Sequence, residues 1–268
     1  MNTKSIFVVG LLSIGFLFGV TSCKKKGCTD DTATNYNSSA EVDDGSCQYA
    51  TPTASATAPG GYTPNYTGTF AALIGIKTIS TTSTPIGPID TEIGTAVAVF
   101  SEDGGANFMS AGTVDANSNN LTAQSNDSYV YVPGTSNPNG ISFGSTVDWN
   151  GTGAAWPTFN ASTSQGFSTV AEISSGDVDL STSYTASCPS VLNADSVYFG
   201  VYGPDGTAFV IVAGGTSSHT FNAADISGLG SGQGYVQIVG INYDPQTIGG
   251  RSYWLLNETV RTKSVSLN

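Results

Sequence analysis

The stretch DSVYFGVYGPDGTAFVIVA, residues 195–213, decides the fold class. Two runs rich in β-branched and aromatic residues, 195–202 and 207–213, flank Gly203-Pro204-Asp205-Gly206, four residues suited to a sharp reversal. The stretch therefore predicts a β-hairpin. Working outward, the same grammar of short apolar or alternating runs punctuated by Gly, Asn, Asp and Pro continues in both directions. Downstream it predicts strands over 218–221, 234–242 and 251–257, the last running on to 259–266; upstream it predicts 169–173 and 181–188. Further upstream, 69–79, 95–100, 107–114, 128–132 and 141–149 form a first set of strands, with Asp103-Gly104-Gly105 and Pro138-Asn139-Gly140 as turns. No helical stripe of useful length interrupts them. The expectation is an all-β chain of two antiparallel, sandwich-like units, 65–165 and 166–268, with residues 150–167 as either linker or part of the first sheet.

Composition agrees and excludes other classes. Of 268 residues only 10% are charged while 33 are Gly, which fits neither a helix bundle nor a coiled coil. Twenty acidic against eight basic residues give a net charge of −12, so the chain would repel a phosphate backbone and nucleic acid is excluded as a partner. One His and four Cys leave little for a His/Cys zinc cluster or imidazole catalysis.

The N-terminus reads as an export signal. Lys4 precedes an apolar run over 6–20, too short to span a bilayer with ease and of the right length for the core of a signal peptide. The run closes on Val20-Thr21-Ser22-Cys23, which resembles the lipobox of bacterial lipoproteins. That resemblance implies a signal peptide over 1–22, lipidation of Cys23 as the first residue of the mature chain, and a lipid-anchored basic start over 23–27. Lys24, Lys25 and Lys26 would meet lipid phosphates, and the acidic remainder would stand off an anionic surface or simply stay soluble. The implied location is the outer membrane, facing the periplasm or the cell surface.

Between Cys28 and Cys47 lies an acidic, almost apolar-free segment that cannot fold by burial alone. An exported protein can hold it closed with a disulfide, worth about 3 kcal/mol for a loop of this length. Asp30, Asn35, Asn37, Asp43 and Asp44 offer closely spaced oxygens that suit Ca²⁺; a solvated spacer without an ion fits the same residues. The string Cys28-Thr29-Asp30, Ala33, Asn35-Tyr36-Asn37, Ala40 and Val42-Asp43-Asp44-Gly45-Ser46-Cys47 resembles a short module common in exported proteins of Bacteroidetes, with Asp31 and Ser38 where that module usually has Pro. The module is assigned 28–49, and the Pro/Ala/Thr/Gly-rich stretch 50–64 a flexible tether.

In the second unit, Leu229, Gly232 and Tyr235 reproduce the Leu-x-x-Gly-x-x-Tyr spacing of fibronectin type III domains, with Ser231 in place of the usual Pro. The resemblance implies an immunoglobulin-like sandwich in which the Tyr235 hydroxyl bonds back to the upstream backbone as a tyrosine corner. Cys188 would fall on its second strand. Its disulfide partner in antibody-type domains would be position 237, here Gln, so Cys188 is read as a buried small hydrophobe.

Little points to catalysis. His219 lies in a strand-like stretch, and no Gly-x-Ser-x-Gly elbow is present. Asp177/Asp179 and Glu102/Asp103 sit in turn-like sequence where solvated carboxylates are ordinary, and no phosphate-binding glycine loop joins a strand to a helix, so nucleotide has no seat. Trp149, Trp156 and Trp254 could either stack on sugar rings or fill the cores. The expected function is non-enzymatic: an outer-membrane lipoprotein displaying β-sandwich domains for adhesion or envelope assembly, or alternatively a carbohydrate-binding accessory of polysaccharide uptake.

Overall fold

The computed structural model describes residues 25–29, 35–42, 44, 46 and 64–268. The signal peptide, Cys23, Asp30, Asp43, Cys47 and all of the tether but Pro64 lie outside the described residues.

Among the described residues the chain is all-β apart from one helical turn, α1 (Ala223–Ile226). The strands of its first part are β1 (Phe70–Thr84), β2 (Gly87–Ser101), β3 (Val114–Ala116), β4 (Asn119–Asn120), β5 (Thr122–Ala123), β6 (Tyr129–Tyr131), β7 (Val147–Gly151) and β8 (Phe159–Thr163). They are followed by β9 (Thr169–Val170), β10 (Tyr184–Ser187), β11 (Val191–Leu192), β12 (Ser196–Gly203), β13 (Gly206–Ala213), β14 (Ser218–Phe221), β15 (Gly232–Ile248) and β16 (Arg251–Leu267). The hairpin expected at 195–213 is present, β12 pairing with β13 from Ser196↔Ala213 to Gly203↔Gly206.

One eight-stranded sheet, in the order β13-β12-β15-β16-β1-β2-β6-β5, runs through both expected units. Its halves meet where β1 pairs in parallel with β16, from Phe70↔Ser252 to Ile79↔Arg261; its other pairings are antiparallel. Smaller sheets close one face. The four-stranded sheet β4-β3-β7-β8 covers the half led by β1 and β2, around a core that contains Leu73, Phe100, Tyr129, Trp149, Trp156, Phe159 and Tyr253. The pairs β10-β14 and β11-β9 cover the other half, around Val197, Phe199, Val201, Phe221, Val236, Ile238 and Leu267. β16 serves both cores, giving Tyr253 and Leu255 to the first and Val265 and Leu267 to the second.

The opposite face of the large sheet carries a third apolar cluster, in which Phe70, Ala72 and Ile74 of β1 join Val239, Ile241 and Tyr243 of β15 and Trp254, Leu256 and Val260 of β16. Because successive strand residues point to opposite faces, β16 alternates between its two commitments residue by residue. Glu258 falls in register on this face, opposite Ile76 and Ile241. It is 3% exposed, its Oε1 has no hydrogen-bond partner, and burial raises its pKa to about 8.

Three strands exceed their expected length. β15 continues past Asn242 through Pro245 to Ile248, and β1 and β2 continue to the Pro85-Ile86 turn. Pro245 sits opposite Trp254, at a position whose N–H would point away from β16, and β12 pairs with β15 only as far as Ile241. A proline there removes no ladder bond. Pairing of the long β15–β16 hairpin extends to Ile248↔Arg251 because Gly249 and Gly250 supply the positive φ of its two-residue turn (59° and 80°).

Candidate functional site

The four-stranded sheet alternates strictly, with both β7 and β8 burying every second residue. Val147, Trp149, Phe159 and Ala161 face the core, which leaves Asp148, Asn150, Asn160 and Ser162 outward. Asn117 and Ser118, both at positive φ (45° and 62°), turn the chain between β3 and β4 at the border of this face. Together with Ala161 these residues line an open polar groove of about 430 Å³. The Ser162 hydroxyl donates to Asp148 Oδ1 at 2.7 Å, and the Asp148 backbone N–H donates to Asn117 Oδ1 at 2.8 Å. The groove thus presents amides, hydroxyls and one carboxylate, without a cation. Alternation in VDWNG and FNAST was the signal in the sequence for an outward polar row; that the two rows and the 117–118 turn converge needed the pairing of β7 with β8.

The three tryptophans are buried, at 1% for Trp149, 0% for Trp156 and 4% for Trp254, so none offers a ring face to a sugar. Trp149 and Trp156 belong to the first core. The Trp156 indole N–H donates to the Tyr253 hydroxyl at 2.8 Å, and the Arg251 guanidinium lies 4.4 Å above its ring. Trp254 packs on the opposite face of the sheet beside Tyr66.

The tyrosine corner is not formed. Leu229 is buried in the second core and Gly232 opens β15, but Tyr235 is 39% exposed and stacks on Tyr202 at 4.3 Å. The cause is strand phase. Gly234 and Val236 take the inward positions, Gly234 lying so close to the Tyr202 carbonyl and Leu267 that a side chain would collide, and Tyr235 is thereby turned outward. There it joins an aromatic row with Tyr202, Tyr198 and Phe209, in which the Tyr198 and Tyr202 hydroxyls meet at 2.6 Å. Burial pushes both of those phenols above the usual range.

Within the acidic module, the 25–28 and 40–42 segments lie side by side: Gly27 N–H donates to Val42 O, and Val42 N–H donates to Lys25 O. Of the five candidate ligands, Asn35, Asn37 and Asp44 are described. Asn35 Nδ2 donates to Ser46 O at 2.5 Å, Asn37 Oδ1 accepts from Ser39 N–H, and Asp44 Oδ1 accepts from Ser46 N–H. The hydroxyl and backbone N–H of Ser46 hold the Asp44 carboxyl below its usual pKa. Among the described residues no three His, Cys, Asp or Glu side chains converge as metal ligands. Cys28 is buried and is not a free thiol; its expected partner, Cys47, lies outside the described residues.

Cys188 is a free thiol, 5% exposed, within the second core, and burial raises its pKa. His219 lies in β14 with its ring against Phe199 and Phe221. The carboxylates weighed for catalysis have structural partners. Glu102 accepts from Arg251 at 2.6 Å, Asp103 from Ser101 and Asn107, Asp177 from the Ser266 N–H, and Asp179 from Ser181. Burial acts to raise the Asp103 pKa, but the donors around it outweigh that and hold it below the usual range.

No family model matches the chain, and neither the curated proteins nor the solved structures contain a significant match.

Proposed function

We propose that this chain is a non-enzymatic lipoprotein of a bacterial outer membrane, anchored through Cys23 and displaying its β body for adhesion or envelope assembly. The observation that carries the reading is the single sheet spanning both units, which gives a rigid display body behind a leader ending in a lipobox-like sequence. The partners of this reading are the membrane, through the anchor, and an envelope protein or glycan. Among the described residues no helix is long and apolar enough to cross a bilayer. In this reading attachment is through lipid at Cys23. The expected result is incorporation of radiolabelled palmitate into the wild-type protein and none into Cys23→Ser. Recovery of unlabelled wild-type protein free in the soluble fraction sinks the reading.

The polar groove favours a second reading, carbohydrate binding in polysaccharide uptake, because amides, hydroxyls and a carboxylate are the groups that hydrogen-bond sugar hydroxyls. Saturable binding on a glycan array, lost in Asn150→Ala/Asn160→Ala, supports it; binding unaffected by that pair overturns it.

The Cys28–Cys47 bridge and a Ca²⁺ ion on Asp30, Asn35, Asn37, Asp43 and Asp44 belong to the same proposal. Titration of the full chain with Ca²⁺ should release heat that Asp43→Asn/Asp44→Asn abolishes, and no heat at millimolar ion removes the metal.

A further inference from the structure

The two ends of the large sheet are built differently. At one end stands β5, two residues long with both side chains exposed, followed by the polar stretch Gln124–Asp127. Such a short polar edge gives an incoming strand almost nothing to pair with. At the other end stands β13, eight residues with no charge and no proline: Gly206, Thr207, Ala208, Phe209, Val210, Ile211, Val212 and Ala213. It carries no charge, proline or bulge to blunt the edge, although the short α1 turn packs near it.

The ladder fixes which groups are offered. The β12–β13 hairpin closes on Gly203↔Gly206 across a two-residue turn, which makes that pair a mutually hydrogen-bonded one. Ala208, Val210 and Val212 therefore bond to β12, and Thr207, Phe209 and Ile211 direct their N–H and C=O groups away from the sheet. Among the described residues nothing pairs with them. Phe209 is 40% exposed, one face of its ring lying against Tyr198 at 5.6 Å; Val210, Ile211 and Val212 are half-buried.

An occupant must be an extended strand with backbone groups at two-residue spacing and apolar side chains on both faces. On a chain of net charge −12 it must also set no carboxylate against this edge. β13 meets those requirements itself. We propose that the β13 edge pairs antiparallel with β13 of a second copy of this chain, centred on Phe209, joining the two large sheets into one. In that register Phe209 lies opposite the partner's Phe209, and Thr207 opposite the partner's Ile211. Asp205, the nearest carboxylate of the turn, comes opposite the partner's Ala213, so the two-fold contact juxtaposes no like charges. Each outward N–H finds an outward C=O, and the contact is isologous and closed.

The test uses the full chain as the cell makes it, in sedimentation equilibrium over a range of concentrations. Detergent micelles are kept in excess over protein so that any lipid at Cys23 does not drive association. The wild type should be a dimer with a dissociation constant on the order of micromolar. Phe209→Lys sets two cations opposite each other, and Ile211→Pro removes an outward N–H while keeping the ladder to β12. Each should weaken association by about tenfold or more, with the unfolding midpoint of the monomer retained. Amide exchange on the wild type gives an independent readout. Thr207, Phe209 and Ile211 should gain protection as concentration rises, while Ala208 and Val210 stay protected throughout. A wild type that remains monomeric with those three amides exchanging freely, or a dimer that both variants leave intact, overturns the proposal.

Discussion

The two halves of the large sheet share a strand but are closed in different ways. The first core is built from large rings: Phe100 contacts Tyr129, Trp156 and Phe159 at 5.3–5.9 Å between centroids, and Trp156 and Phe159 both reach Tyr253. The second is built from many small side chains, Val197, Val201, Val236, Ile238, Val265 and Cys188 among them, under two short pairs of strands. A core of interlocked rings concentrates stability in few residues; a core of branched aliphatics spreads it.

The sharpest way to break that contrast is Trp156→Ala. The residue is fully buried, donates to Tyr253 and lies under Arg251, so its removal leaves a large cavity, strands the Tyr253 hydroxyl and takes the ring from under a guanidinium still paired with Glu102. We expect a loss of about 3–5 kcal/mol in denaturant unfolding. Ile238→Val, equally buried in the second core, should cost about 0.5–1.5 kcal/mol. Equal losses at the two sites would remove the distinction.

Close backbone approach provides a second comparison, one glycine in each half. A Cβ on Gly94 would come 1.8 Å from the Ile141 carbonyl oxygen, and one on Gly214 would come 1.8 Å from that of Ala194. Gly94 also bridges to Gly140, tying the 139–141 loop to β2 through the Gly94 N–H bond to Asn139 O and the Ile141 N–H bond to Gly94 O. Alanine at either position forces backbone apart, for about 1–3 kcal/mol each by the same unfolding measurement. Because the approach is to backbone in both halves, these two losses should match where the tryptophan and isoleucine losses do not.

Glu258 stands where the halves join, and its titration tests whether they are locked together. Burial raises its folded-state pKa to about 8, above the ordinary 4.5. A group so raised keeps its proton in the folded protein while the unfolded chain has already lost it. Its contribution is therefore whole below pH 4.5 and is lost as pH rises towards 8, with a slope of up to about 1.4 kcal/mol per pH unit. Glu258→Gln should flatten stability across that window and be the more stable protein at pH 8. Identical pH profiles for the two proteins would mean that the carboxyl reaches water and that the join is open.

Much of this was legible in advance, and the failures have physical causes. The hairpin at 195–213 was readable because both propensity and turn chemistry are local. Burial of the tryptophans was one of two readings, and the alternating burial along VDWNG decides it for Trp149. The expected strands over 234–242, 69–79 and 95–100 stop short of Pro245 and of the Pro85-Ile86 turn; a proline ends a strand only where its N–H is needed, and which side of a strand is paired is not a local property. The parallel pairing of β1 with β16 joins residues some 180 positions apart, and no pattern within either strand announces it. The tyrosine motif misled through phase: Leu229 and Tyr235 have the right spacing, but Gly234 takes the inward place and sends the tyrosine to the opposite face. The outward row of the polar groove could be read strand by strand, whereas its partner turn at Asn117-Ser118 could not.

The smallest expected effect comes from comparing two arginines on β16, one in each half. Arg251 is capped by Glu102 and lies over Trp156, inside the ring-built core. Arg261 donates to both carboxylate oxygens of Asp90, to the Thr81 hydroxyl and to Val170 O, and so pins the outer part of the β1–β2 hairpin to the second half. The Arg261 hydrogen bonds, then that of Thr81, bring the Asp90 carboxyl down to about 2. A carboxylate depressed in this way contributes stability above pH 3.8 that is lost as pH falls to about 2. Yet Asp90 is half exposed, so water screens the pair and Asp90→Asn should cost only about 0.2–1 kcal/mol. The informative readout is local: amide exchange along 80–92 should quicken in the variant while the core strands are unchanged. If the hairpin amides exchange at the wild-type rate, pairing of β1 with β2 alone holds the arm, and Arg261 matters to it only through its own bond to Val170.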